Sequence, residues 1–128
     1  MTEGGDPDKL GRAAIWRGEI DTCVHQNHIY KVRPNRERLL PEYLRELSGS
    51  QYGKSYFLQV AKKTTGIATI NRTQLGKFPV LVPSMEHQSE FVRQFDAVRS
   101  IQSQQAAATQ KAEATFNALL GRAFQGEL

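Results

Sequence analysis

The sequence predicts an α+β fold in which a small mixed head is followed by one long C-terminal helix of the coiled-coil type. Short apolar segments separated by Gly, Pro and Asn fill residues 1–83, a pattern typical of alternating strands and helices. From Ser84 onward no Pro or Gly interrupts the chain until Gly121, which favours one continuous helix. We therefore divide the chain into a head, residues 1–83, and a helix, residues 84–128.

The head is predicted to contain four strands and up to three short helices. Residues 1–10 are polar and glycine-bearing, so we expect them to be disordered or to be the remnant of a turn. β-branched and aromatic residues alternate over 23–33, which predicts a strand that pairs with another at 12–17. Pro41 is suited to a helical first turn. The predicted elements are strands 12–17, 23–33, 67–70 and 78–82, a helix from 41 that ends at 48–50, a helix over 51–62, and a turn or short helix over 71–75.

The long helix carries a heptad seam that is apolar at both ends and polar or small in its middle. Its members recur at alternating steps of four and three residues. They are Phe91, Phe95, Val98, Gln102, Gln105, Thr109, Ala112, Phe116 and Leu119. Such a symmetric pattern matches itself best when two copies run antiparallel, so we expect a homodimer. The alternative is an ordinary amphipathic helix that packs on its own domain.

Helix length favours the pairing interpretation. At about 1.5 Å per residue, a helix from Glu86 to Phe124 would be roughly 57 Å long, which exceeds the width of so small a head. We expect part of it to project and to need a partner. At its start, Ser84 is predicted to cap the first turn.

Charge is unevenly distributed along the chain. Residues 1–80 contain 13 Lys and Arg against 8 Asp and Glu, whereas residues 81–128 contain 4 against 5. A basic head beside a nearly neutral helix suits a module that binds a polyanion and makes a separate protein contact. The alternative is a merely solvated basic surface.

Several function classes are not expected. A single cysteine, Cys23, and three scattered histidines predict neither an internal disulfide nor a metal site. The sequence has no phosphate-binding glycine loop and no nucleophile motif, so we expect no cofactor and no catalysis. It also has no apolar run near the roughly 20 residues of a membrane span and no signal-peptide pattern, so we expect a cytoplasmic location.

Several segments together resemble a known family. They are Thr-Thr-Gly-Ile-Ala-Thr-Ile-Asn at 64–71, Phe-Pro-Val-Leu-Val-Pro at 78–83, Glu-His-Gln at 86–88 and the ending Leu-Leu-Gly-Arg-Ala-Phe-Gln-Gly-Glu-Leu at 119–128. The family is the DNA-specificity subunit of type I restriction–modification systems. The likeness corresponds to the C-terminal part of a target recognition domain and the long helix after it.

The resemblance implies a non-catalytic subunit that recognises double-stranded DNA. It implies methyltransferase (modification) subunits as partners and, through them, the restriction subunit. A complete subunit of that family carries two recognition domains and two long helices that pair antiparallel. This chain has one helix and the later part of one domain, so we expect a half-subunit or a fragment. The alternatives are an assembly piece that pairs helices without recognising DNA, and a coiled-coil adaptor unrelated to restriction.

Loop residues with hydrogen-bond donors are the candidate DNA contacts. A loop that ends at Gly66 allows the backbone to approach phosphate closely, and Arg72 suits guanine. The candidates are Lys62, Lys63, Thr64, Thr65, Asn71, Arg72, Arg12, Arg17, Gln26 and His28, the last four on one face if the first strand pair forms. Asn71 alternatively bonds its own backbone, as Asn in turns commonly does. Trp16 and Tyr30 are interpreted as core aromatics, and Gln102 and Gln105 as determinants of helix register.

Overall fold

A computed structural model of the chain describes residues 1–25 and 27–127. These residues form two compact units, Met1–Glu90 and Phe91–Leu128. The first contains a small antiparallel sheet with helices, and the long C-terminal helix runs from the end of the first unit through the second. The predicted α+β class with one long helix is confirmed. No helix among the described residues is long and apolar enough to cross a membrane.

The sheet has three strands in the order β1-β3-β2, all antiparallel. β1 is Gly4–Gly5, β2 is Lys62–Thr64 and β3 is Ile67–Thr69. β2 and β3 form a hairpin whose turn contains Gly66, and the φ of +77° at this position is one that glycine adopts without strain. The strand predicted at 67–70 is confirmed, whereas β2 lies where the last residue of a helix and a loop were expected.

The expectation of disorder at residues 1–10 is wrong, because this segment supplies an edge of the sheet. Gly4 pairs with Thr69, and a Cβ at Gly4 would lie 2.5 Å from Thr69 Cγ2. Only glycine permits so close an approach of the two backbones. A 3-10 turn at Pro7–Lys9 then leads to Leu10, which is 2% exposed and belongs to the core.

The strands predicted at 12–17 and 23–33 are also wrong. The described residues of both segments lack strand structure, apart from one isolated bridge between Thr2 and Ile29. Beside that bridge the Glu3 N–H donates to the His28 carbonyl at 2.8 Å and the Tyr30 N–H donates to the Met1 carbonyl at 2.7 Å, so the second segment pairs with the residues before β1 over too short a length to form a strand. Trp16 is accordingly 51% exposed rather than in the core. Tyr30 does pack against the core as predicted, and its hydroxyl donates to the carbonyl of Ile70 at 3.0 Å.

The segment predicted as a strand at 78–82 is irregular. Pro79 has no N–H to donate to a ladder, which disfavours a paired strand here. Phe78 is nevertheless buried, and the carbonyl of Pro79 accepts a hydrogen bond from the Tyr52 hydroxyl at 2.7 Å. The segment is therefore fixed by side-chain contacts rather than by a sheet.

Three short helices complete the first unit: α1 at Pro41–Gly49, α2 at Gln51–Val60 and α3 at Arg72–Gly76. All three were predicted, with α2 two residues shorter than expected. Ser50 separates α1 from α2, and its hydroxyl accepts from the Gly53 N–H as an N-cap.

An aromatic cluster forms the centre of the core. Phe57 is fully buried, and its ring centroid lies 4.9 Å from that of Phe78 and 5.3 Å from that of Tyr56. Tilted and edge-on ring pairs at these distances add to the stabilisation from burial alone. Ile70, at the end of the sheet, is buried with them.

The long helix, α4, extends over Met85–Phe124. Ser84 caps its first turn as predicted, because the Ser84 hydroxyl accepts from the His87 N–H at 3.3 Å. Gln88 in this turn is 0% exposed. Its Oε1 accepts from the Leu40 N–H at 2.9 Å, and its Nε2 donates to the carbonyls of Arg38 at 2.9 Å and Pro83 at 2.8 Å. One amide thus joins the start of α4 to the segment before α1.

We expect Gln88→Ala to lower the free energy of unfolding of the first unit by about 2–4 kcal/mol. The substitution leaves backbone donors and acceptors buried without partners, which costs about 1–3 kcal/mol for each unsatisfied group. Loss of near-UV circular dichroism in urea measures this unit through its aromatic cluster. Gln104→Ala, an exposed substitution on the same helix, should stay within about 0.5 kcal/mol of the parent. Equal effects of the two substitutions would contradict the assigned role of Gln88.

Gly11 and Gly18 form a matched pair of glycines for a second test. Both have positive φ, +79° at Gly11 and +86° at Gly18. A Cβ added at Gly11 would lie 2.5 Å from the Phe57 ring, whereas a Cβ added at Gly18 would contact no other part of the protein within 4 Å. We expect Gly11→Ala to destabilise the chain by about 1–3 kcal/mol more than Gly18→Ala, because only Gly11→Ala adds core overpacking to backbone strain. The same urea titration compares them, and equal losses would refute the contact with Phe57.

Candidate nucleic-acid interface

The β2–β3 hairpin presents four of the predicted DNA contacts at one edge of the sheet. Lys62, Lys63 and Thr64 form β2 itself, and Thr65 lies in the turn. All four residues are exposed. β2 is an edge strand, so a second molecule can approach it without opening the sheet.

α3 brings Arg72 to the same end of the hairpin as Lys62. Lys62 pairs with Thr69, and the chain passes from Thr69 to Asn71 and Arg72 within three residues. The Asn71 side chain accepts from the Gln74 N–H at 2.9 Å, and Gln74 Oε1 accepts from the Asn71 N–H at 2.7 Å, which closes a capping box. Asn71 therefore bonds the local backbone, as the alternative interpretation proposed.

Gln74 also attaches α3 to the end of α2. Its Nε2 donates to the carbonyl of Val60, two residues before β2, and its own carbonyl accepts from the Tyr56 hydroxyl at 2.7 Å. These bonds fix the first turn of α3 beside the entrance of β2. We call Lys62, Lys63, Thr64, Thr65 and Arg72 the hairpin site.

The cations of the hairpin site have no acidic partners. Lys62, Lys63 and Arg72 make no ion pair with any other residue that the structure describes. Lys54, in the same unit, does have an acidic partner, because its Nζ lies 2.6 Å from Asp8 Oδ1. The hydrogen bond from Lys54 and its positive charge lower the pKa of Asp8. Cations without a protein partner can neutralise the charge of a ligand at no cost in broken ion pairs.

The other predicted contacts do not join the hairpin site. Arg12 and His28 flank the N-terminal segment at the opposite edge: the Arg12 carbonyl accepts from the Thr2 N–H at 3.0 Å, and His28 Nδ1 lies 3.2 Å from Glu3 Oε2. Arg17 is in an irregular loop, where its N–H donates to Glu19 Oε2 at 3.0 Å and lowers the pKa of that carboxyl.

The prediction that Arg12, Arg17, Gln26 and His28 share a face of a first strand pair is therefore wrong, since that pair does not form among the described residues. Gln26 itself lies outside the described residues.

Sequence reasoning missed Thr69 as a member of this surface. Thr69 faces Lys62 across the hairpin, is partly exposed, and its Oγ1 donates to the Lys62 carbonyl at 3.5 Å. The signal was present in the alternation of Ile67, Ala68 and Thr69, because Ala68 is buried and its neighbours must point to the other face.

A second exposed surface runs along α4. The seam residues Phe91, Val98, Phe116 and Leu119 are each exposed, with 53% of Val98 and 61% of Phe116 accessible. The rings of Phe91 and Phe95 stack with centroids 5.8 Å apart. The polar and small seam residues Gln102, Gln105, Thr109 and Ala112 are exposed as well. An apolar stripe of this size in solvent is typical of a surface that binds another protein.

Within residues 1–25 and 27–127, no group of three or more His, Cys, Asp and Glu is arranged to hold a metal ion. The chemistry that the hairpin site offers is electrostatic attraction and hydrogen-bond donation.

Three curated proteins are similar to the chain. It is 30% identical over 119 residues to the EcoKI type I restriction enzyme specificity subunit of Escherichia coli, which covers 87% of the chain and 26% of that protein. It is 24% identical over 128 residues to the StySPI specificity subunit of Salmonella potsdam, covering 97% of the chain and 28% of that protein. It is 28% identical over 86 residues to a protein assigned as the MjaX specificity subunit of Methanocaldococcus jannaschii, covering 67% and 20%.

The chain thus spans about a quarter of the length of the curated relatives it matches, between 20% and 28%. No protein-family model matches it, and no solved structure matches it significantly. The similarity is low in identity but covers much of the chain in all three comparisons. The resemblance predicted from the sequence motifs is confirmed: this chain is similar to the specificity subunits of type I restriction enzymes.

Proposed function

We propose that the chain is a non-catalytic component that recognises double-stranded DNA in a type I restriction–modification system, with the hairpin site as its DNA contact. The observation that carries the proposal is that three cations, Lys62 and Lys63 on the exposed edge strand and Arg72 at the start of α3, make no ion pair with any other described residue. The names of the relatives, which are specificity subunits of restriction enzymes, support the same role.

The residue types of the hairpin site suit different contacts with DNA. Lys62 and Lys63 are long point charges suited to phosphate, and Thr64 and Thr65 add hydroxyl donors at the same edge. Arg72 has the planar fork that pairs with the major-groove edge of guanine, a contact worth about 1–3 kcal/mol of discrimination. The capping box at Asn71 holds the start of α3 in place, so we assign Asn71 a positioning role rather than a base contact.

The division of the chain into a recognition head, 1–83, and a pairing helix, 84–128, is part of the proposal. The exposed seam on α4 would join two copies as an antiparallel homodimer, so that two heads act in one particle. Methyltransferase subunits, and through them the restriction subunit, would supply the chemistry. The exposed apolar residues along the seam support a protein contact at this helix.

A second candidate function is an assembly piece that pairs helices and does not bind DNA. The same exposed seam favours it, because pairing needs only the second unit. The two functions make different predictions for the hairpin site. DNA recognition requires that removing its positive charges weaken DNA binding, whereas the assembly function has no such requirement.

We expect the triple substitution Lys62→Ala, Lys63→Ala and Arg72→Ala to weaken binding of a randomised duplex strongly at low salt. Each phosphate contact that is lost should reduce the slope of log K against log salt by about 0.9. Fluorescence anisotropy of a labelled duplex at four or more salt concentrations measures both quantities.

The matched control removes the same charge outside the hairpin site, with Arg12→Ala, Arg17→Ala and Lys31→Ala. It should change the affinity and the slope less than the hairpin triple does. A parent chain that binds no duplex at any salt would refute DNA recognition and leave the assembly function. A larger effect of the control would move the DNA contact to the segment 12–31.

A further inference from the structure

We propose that Ile67, beside the hairpin site, is a specificity-determining residue that contacts the C5-methyl group of thymine in the major groove of duplex DNA. The inference rests on the proposed function, DNA recognition by the hairpin site, and adds a base preference and the residue responsible for it. It follows from the position of one exposed apolar side chain among polar and basic neighbours.

Ile67 lies on the outward face of the β2–β3 hairpin. Side chains alternate between the two faces of a strand, and Ala68, the next residue, is fully buried on the core face. Ile67 is accordingly 50% exposed. Directly opposed residues of an antiparallel pair share a face, so Thr64, the partner of Ile67, lies beside it. The outward face at this position therefore combines a branched aliphatic side chain with a hydroxyl group.

The sheet has two strands rather than three at Ile67. Among the residues that the structure describes, β1 pairs with β3 at Thr69 and Ala68, one residue short of Ile67. Thr64 and Ile67 flank the two-residue turn and form the last pair of the hairpin. A two-stranded ribbon fits the major groove of B-DNA, because the groove is about 12 Å wide and the strands lie about 4.8 Å apart. The end of the hairpin therefore suits insertion into the groove.

The charge around Ile67 favours DNA over an apolar protein surface as the occupant. Residues 47–85 include no Asp and no Glu. The cations of the same stretch are Lys54, Lys62, Lys63, Arg72 and Lys77. Lys62 and Lys63 lie on the strand that pairs with β3, and neither makes an ion pair with any other described residue. An apolar partner would remove these charges from water without compensation, whereas the phosphates of DNA complement them.

An aliphatic side chain in the major groove distinguishes thymine from the other bases. Thymine alone among the four bases of DNA presents a methyl group there, and apolar side chains contact it. Burial of one such group against Ile67 contributes about three- to fivefold in affinity. Lys62 and Lys63 contact phosphate without regard to sequence, whereas Ile67 supplies a base preference.

The test removes the methyl group from the DNA and its partner from the protein, separately and together. A randomised duplex is prepared once with thymine and once with uracil, which differs from thymine in lacking the C5-methyl group. Fluorescence anisotropy with the full chain at low salt measures both affinities. We expect the parent to bind the uracil duplex about three- to fivefold more weakly, and Ile67→Ala to bind both duplexes equally. Ile67→Val keeps a branched apolar side chain and should keep the preference for thymine.

Ile20→Ala is the matched control, because Ile20 is also exposed and lies outside the β2–β3 hairpin. It should keep the parent's preference for thymine. Near-UV circular dichroism checks that each variant keeps the aromatic core. Equal binding of both duplexes by the parent would overturn the thymine contact and leave DNA recognition intact. A preference that Ile67→Ala retains would overturn the role of Ile67, and a parent that binds neither duplex would overturn the proposed function and the thymine contact with it.

Discussion

The hydrogen bonds of the buried Gln88 amide are the interaction on which the first unit depends. α1 begins after Leu40, which provides no side-chain cap, and the Leu40 N–H is instead satisfied by Gln88. The same amide binds the carbonyls of Arg38 and Pro83, so it fixes the entrance of α1 and the exit of the irregular segment before α4. A buried amide with all its bonds made specifies one arrangement, because any displacement leaves polar groups unpaired.

The two edges of the small sheet differ in how their charged and polar side chains are paired. At the β1 edge, polar side chains have partners within the protein, as His28 Nδ1 at 3.2 Å from Glu3 Oε2 shows. At the β2 edge, Lys62 and Lys63 make no ion pair with any described residue. The distribution of positive charge therefore indicates the polyanion-binding surface better than the net charge of the head does. Cations that are paired within the protein contribute little to the attraction of a polyanion.

Prediction from sequence succeeded where the signal is local. The signals that succeeded were Pro41 at a helix start, the Ser84 cap and the Asn turn before α3, and each acts on residues close to it in the sequence. Prediction failed where pairing is between distant segments. The segment 23–33 has β propensity, but among its described residues only Ile29 forms a bridge, with Thr2. Gly4 and Gly5 have low strand propensity, yet they pair with Thr69 and Ala68. At Gly4 a Cβ would lie 2.5 Å from Thr69 Cγ2, so the lack of a side chain permits this close approach.

The sequence by itself determined the α+β class, the long helix, its seam and the relation to specificity subunits, because these follow from periodicity and from ordered local motifs. Only the tertiary structure decided that Lys62–Thr64 is an edge strand rather than a helix end and a loop. It also decided which of the predicted cations lie on the β2–β3 hairpin, and that Gln88 joins two distant segments. These outcomes depend on contacts between residues far apart in the chain, and such contacts leave no signature in the pattern around any one of them.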